Sequence, residues 1–308
     1  MRIPKVGLYI SSVFPAVDRD VFRALDLAAE LGFRGVCLSH TNTSPLGDLS
    51  PPERRRAVQD APRNLGLEVS ALSCNISSQT EGGVGQRMAP LVEALDLAAE
   101  SGVPTVIVHG GERLVDDEAE NQRAWQRLVE NLTYAGAHAA DKGVTVSMEP
   151  GGGVWMVHGW RLLARLRDEV GESFKVNLDP ANILMACEDP AAGVRELGEA
   201  IVHLHIKDAA IVRPAEHAKR IVAGLDPRAT NLDFAAWKAA LAADCGEGGN
   251  FWRETPVGDG EVDFRALFAA LDETGFRRWA AIEREGRGSG EERVAEVRKA
   301  REHVLSLA

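Results

Sequence analysis

Four side chains of the kind that hold divalent cations, Glu149, Asp179, His205 and Glu283, each stand near the end of a short apolar run. The runs read TVSMEP, FKVNLDP, IVHLHIKD and WAAIERE. Strand side chains alternate between two faces. In IVHLHIKD, His203, His205 and Lys207 therefore share one face, and Val202, Leu204 and Ile206 the other. The same opposition sets Thr145, Ser147 and Glu149 against Val146 and Met148, and Lys175, Asn177 and Asp179 against Phe174, Val176 and Leu178. It also sets Trp279, Ala281, Glu283 and Glu285 against Ala280 and Ile282. Burying a carboxylate without a partner costs several kcal/mol, and neighbouring carboxylates raise one another's pKa. No arginine lies on these faces to pair with all three carboxylates, so a shared divalent cation is the expected solution. Three carboxylates and one imidazole suit Mn²⁺, Mg²⁺ or Co²⁺ with open water positions. Zn²⁺ is admitted, although its structural sites favour cysteine and more histidine.

The elements that must carry these groups alternate. Further β-rich runs, KVGLYI, GVCLSH, EVSALSC and TVIVHG, precede the four above, and Ala/Leu-rich segments such as DRDVFRALDLAAELG and MAPLVEALDLAAESG lie between them. Apolar residues in those segments recur at three and four, the helical period. Gly32, Gly102, Gly143 and Gly275 stand where the helices should stop. Eight strand–helix units predict an α/β chain closed as a (β/α)₈ barrel, with residues 1–308 as one domain. Helices cover the outer face of such strands and the inner face meets the lumen. The polar fronts therefore point inward near the C-terminal mouth, where such barrels carry their chemistry. One connection, from Ala209 to about Glu261, is long: an insertion between strands seven and eight with no clean strand and one short helix in DFAAWKAALAAD. Connections of that length usually serve as lids or binding loops.

Composition narrows the classes. The chain has 308 residues, 45% of them hydrophobic, and a net charge of −11. An acidic balance argues against nucleic acid and anionic membranes as partners. No apolar run approaches the roughly 20 residues of a membrane helix. The start, MRIPKVGLYISS, lacks a signal-peptide pattern, and four scattered cysteines form no C-x-x-C pair, which together point to a cytoplasmic location.

The pieces SMEP, NLDPAN, HLHIKD, PVGDGEVDF and AIERE occur in an order that resembles the sugar phosphate isomerase/epimerase group of xylose-isomerase-like TIM barrels. The resemblance spans nearly the whole chain. It implies the same metal ligands, Glu149, Asp179, His205 and Glu283, and a small carbohydrate as substrate. Related epimerases often carry Asp-x-x-His after the sixth strand. Here Asn182 stands at the last position, able to hydrogen-bond a substrate hydroxyl but not to supply an imidazole. Metal-dependent endonucleases of the same superfamily need further histidines, including a D-x-H pair where this chain reads LDPRAT.

The expected chemistry is that of a divalent-metal-dependent sugar isomerase or epimerase, with proton transfer through a metal-stabilised enediolate and Glu149 and Glu283 as the acid/base pair. The alternative is a lyase or dehydratase acting on a keto-sugar or keto-inositol. An abasic-site endonuclease and a non-catalytic sugar-binding barrel rank lower. Around the four ligands, His109 at the end of VIVHGG is read as a substrate contact or a supporting hydrogen-bond group. Lys207 holds a substrate oxygen or pairs with a carboxylate, and His203 is a satisfied core histidine. In GGGVWMVHG, Trp155 is a sugar-stacking wall or an apolar anchor, and Trp252 and Arg253 form a second candidate wall. The three glycines lack the Lys-Ser/Thr of a P-loop. No basic cluster marks a phosphate site, so a substrate with or without phosphate fits. Homo-oligomerisation is left open.

Overall fold

Alternation along the strands becomes a closed cylinder in the computed structural model, which describes residues 1–39, 46, 48–74, 82–226, 232–245 and 250–308. The strands are β1 (Lys5–Tyr9), β2 (Gly35–Ser39), β3 (Glu68–Ser73), β4 (Thr105–His109), β5 (Thr145–Glu149), β6 (Lys175–Leu178), β7 (Ile201–Ile206), β8 (Asp208–Ile211), β9 (Trp252–Thr255) and β10 (Trp279–Ile282). Eight of them pair in the order β1-β10-β7-β6-β5-β4-β3-β2 and close on themselves. Each strand of this ring runs parallel to its neighbours. This is the expected (β/α)₈ barrel. Predicted residue His40, at the end of the second run, and residues 227–230 of LDPRAT lie outside the described residues.

The outer faces are apolar because helices cover them. Leu8, Val36, Leu38, Leu72, Val106, Val108, Met148, Val176, Leu178, Leu204, Ile206 and Ala280 are buried in one core with the helices. Tyr9, Cys37, Ala71, Ile107 and Ala281 form a separate small cluster on the alternate face, inside the barrel. Lower down, Trp279 packs against Gly7 and Gly35, and its Nε1 donates to Glu68 Oε2 at 3.3 Å. The four glycines expected to end helices, 32, 102, 143 and 275, all adopt positive φ.

The insertion between β7 and β10 holds more structure than its sequence suggests. It contains β8, the helices Glu216–Ala223 and Phe234–Cys245, and β9. β8 and β9 form a two-stranded antiparallel sheet outside the barrel. β8 was hidden because only Lys207 separates it from β7, so the two read as one run. β9 was hidden because WRET is short and polar.

Asp208 explains why HLHIKD and PVGDGEVDF travel together. Its Oδ2 accepts from the backbone N–H of Gly258 at 2.9 Å and Gly260 at 3.0 Å, and its Oδ1 from Val262 at 3.1 Å. A Cβ at position 260 would lie 2.2 Å from Asp208 Oδ1, so only glycine lets the loop approach. The buried carboxylate thus ties the insertion's return to the end of β7.

Candidate metal and carbohydrate site

Each candidate ligand is delivered by its own stave. Glu149 ends β5, His205 lies on β7, and Asp179 and Glu283 directly follow β6 and β10. All four are buried, and one ligand atom from each lies within 4.8 Å of the others. Asp179 is oriented locally. It caps the helix Pro180–Met185, with Oδ1 accepting from Ala181 N at 2.8 Å and Asn182 N at 3.1 Å. Proline at the first helical position suits this arrangement. Its Oδ2 is left toward the lumen, 3.0 Å from Asn182 Nδ2 and 3.9 Å from Lys207 Nζ.

His205 Nδ1 stands 3.1 Å from Glu149 Oε2 and 3.2 Å from Glu283 Oε2. Neither imidazole nitrogen makes an in-line hydrogen bond within the described residues, although the ring is fully buried. A buried imidazole nitrogen amid three carboxylates is a donor set that can hold a divalent cation. The residues present therefore fit such an ion.

The surrounding groups have settled partners. Asn177 Nδ2 donates to Glu149 Oε2 at 2.9 Å, and its Oδ1 lies 2.8 Å from His203 Nδ1. His203 Nε2 meets Ser70 Oγ at 3.1 Å, so this histidine is the satisfied core residue expected. A register shift between β6 and β7 sets Asn177 opposite His203. His109 pairs its Nε2 with Ser73 Oγ at 2.7 Å and holds Nδ1 3.4 Å from Glu149 Oε2. Asn182 Nδ2 also donates to Pro150 O at 2.9 Å, so its amide braces the carboxylates.

Lys207 pairs with carboxylates and also lines the cavity. Its Nζ is 3.3 Å from Glu283 Oε2 and 2.5 Å from Glu285 Oε2. Lys207 and an imidazolium thus supply part of the neutralisation that the sequence assigned wholly to a cation. Burial works against charge on Lys207, yet Glu283, Glu285 and Asp179 outweigh it and hold its pKa well above the usual lysine value. Burial likewise opposes His205, but Glu149 and Glu283 raise it well above the histidine range. Burial pushes the Asp179 carboxyl up to about 8 against the pull of Lys207. Glu283 goes the other way: despite burial, Lys207 and then His205 hold it below the carboxylate range.

These groups open on a cavity of about 830 Å³ lined by His109, Glu149, Trp155, Asn182, Lys207, Trp252 and Glu283, among others. Trp155 and Trp252 thus both reach it, whereas Arg253 is exposed and does not line it. Asn177 was not singled out from sequence, although it shares the inner face of β6 with Asp179. Alternation alone would have flagged it. Ser73, also overlooked, closes a chain from His109 to Tyr9, whose hydroxyl donates to Ser73 Oγ at 3.3 Å.

The profile of the xylose isomerase-like TIM barrel family matches residues 25–307. The chain belongs to this family. It is 27% identical over 256 residues to the uncharacterized protein YfiH of Bacillus subtilis (strain 168), covering 75% of this chain and 81% of that one. It is 24% identical over 283 residues to an inosose dehydratase of Geobacillus thermodenitrificans (strain NG80-2), covering 91% and 78%. In fold it is similar to the 3-keto-D-glucoside 4-epimerase YcjR from E. coli, with a TM-score of 0.69 at 16% identity over 98% of this chain and 99% of that one. Among the described residues no helix is long and apolar enough to cross a membrane.

Proposed function

We propose that the chain is a divalent-metal-dependent carbohydrate isomerase or epimerase that moves a proton at a carbon beside a carbonyl. The observation that carries this reading is the convergence of Glu149, Asp179, His205 and Glu283 within 4.8 Å at the lumen mouth. These four residues would hold the ion, with Mn²⁺, Mg²⁺ or Co²⁺ fitting the oxygen-rich set. When bound, such an ion supplies Lewis acidity that acidifies the C–H next to a carbonyl.

The chain's own groups supply the rest. Glu283, kept ionised by Lys207 at 3.3 Å, accepts the proton at its carboxylate. Glu149 is its counterpart, held by Asn177 Nδ2 at 2.9 Å and faced by His109 Nδ1 at 3.4 Å. Their strands are separated in the barrel by β6 and β7, which suits approach to the substrate from different sides. Lys207, His109 and Asn182 line the cavity and bind substrate oxygens, and Trp155 stacks on an apolar sugar face.

A second reading, a dehydratase in which the same proton loss expels a β-hydroxyl, is supported by the similarity to an inosose dehydratase over 91% of the chain. The test is incubation of Mn²⁺-loaded protein with a ketose and inosose panel in D₂O. Deuterium at the carbon beside the carbonyl of recovered or isomerised sugar is the expected result. Loss of water selects the second reading. Neither outcome, or turnover indifferent to EDTA, removes both.

A further inference from the structure

We infer that the insertion between β7 and β10 builds an outer subsite for a second sugar ring, so that the preferred ligand is a glycosylated ketose and not a free monosaccharide. The inference rests on the carbohydrate reading above. The cavity runs from Glu149 and Glu283 out to Leu241, Phe251 and Trp252 of the insertion. Its volume of about 830 Å³ lies in the upper part of the span typical of small-molecule sites.

Two half-buried indoles flank its mouth beside the ribbon Gly151–Gly153. A Cβ on Gly151 would lie 2.4 Å from Trp155 Cδ1, and one on Gly152 would lie 3.5 Å from Trp252 Cζ2. Gly151 thus lets the Trp155 ring close on the strip of backbone that Trp252 also borders. Indoles pair a broad apolar face with a polar edge, which matches the C–H faces and hydroxyl rim of a sugar ring. Arg113, also lining the cavity, sets its guanidinium 5.2 Å from the Trp155 ring centroid.

The wall is braced from the insertion. Trp237, fully buried on the helix Phe234–Cys245, donates Nε1 to Gly153 O at 2.7 Å. Its ring stacks on His158 at 4.6 Å and 12°. His158 in turn places Nδ1 2.6 Å from Trp155 O. Trp237 is absent from the cavity lining and acts through Trp155 and Gly153, so it is a positioning residue.

Metal-loaded protein is titrated with fructose and with the glucosylfructoses maltulose and isomaltulose, read by calorimetry. At least one disaccharide should bind about fivefold or more tighter than fructose. Trp252→Ala should erase that preference while leaving fructose affinity within about twofold, whereas Trp155→Ala, which also removes the stacking surface of the proposed reaction site, should weaken all three sugars. Trp237→Phe keeps a ring on His158 but removes the N–H. It should weaken disaccharide binding and speed amide exchange at residues 151–158, yet change nothing further in a Trp155→Ala background. Equal affinity for all three sugars overturns the subsite. A Trp237→Phe effect that persists without Trp155 overturns its positioning role. A preserved disaccharide preference without deuterium exchange would defeat the proposed reaction alone. Absence of binding by any of the sugars would defeat both.

Discussion

His205 Nδ1 lies 3.1 Å from Glu149 Oε2, on a ring with no exposed surface and no in-line hydrogen bond among the described residues. That relationship makes cation uptake a proton exchange. The pKa of His205 sits well above the histidine range and that of Asp179 near 8, so both hold a proton at pH 7. A cation must displace these protons to reach the nitrogen and the oxygen. Mn²⁺ affinity should therefore rise as pH increases toward 8, by up to about tenfold per pH unit for each proton released. Calorimetry in buffers of different ionisation enthalpy checks this. Heats independent of the buffer would contradict it.

Lys207 Nζ is 3.3 Å from Glu283 Oε2, and its charge is what keeps that carboxylate ionised. Lys207→Met removes the ammonium but keeps much of the chain's length. The pKa of Glu283 should rise, so the acid limb of the pH–rate profile should move to higher pH. The loss of kcat/KM should reach about a hundredfold near neutrality. A profile that keeps its acid limb in place would remove Lys207 from this role.

Glu149→Gln and Glu283→Gln keep the shape of each side chain and remove its negative charge. Turnover should fall by roughly a hundredfold or more in each, together with weaker Mn²⁺ binding. Unchanged circular dichroism would show the barrel intact. Full turnover in both variants would remove Glu149 and Glu283 from the proton transfer.

Asp208 is expected to matter for stability more than for chemistry. Asp208→Ala leaves the N–H groups of Gly258, Gly260 and Val262 without their acceptor. The cost should be about 3 kcal/mol or more, read as a lower denaturant midpoint. Gly260→Ala should move the midpoint in the same direction, because its Cβ would meet Asp208 Oδ1 at 2.2 Å. A midpoint unchanged in both variants would show that the loop finds other partners.

Much of this was legible in one dimension. Alternation along TVSMEP, FKVNLDP, IVHLHIKD and WAAIERE was enough to place Glu149, Asp179, His205 and Glu283 on inner faces, because a barrel strand must show apolar side chains to its helices. The strand–helix rhythm was enough to predict the closed ring. Only the folded chain decided how charge is shared. Lys207 belongs to the same inner face, but whether its ammonium reaches Glu283 or solvent depends on curvature that no spacing encodes. The same holds for β8 and β9, whose pairing joins residues 208–211 to 252–255 across the insertion. It holds also for Trp237, which reaches Gly153 O from 84 residues away. Local periodicity fixes which way a side chain faces, whereas contacts between distant segments exist only once the chain has closed around its core.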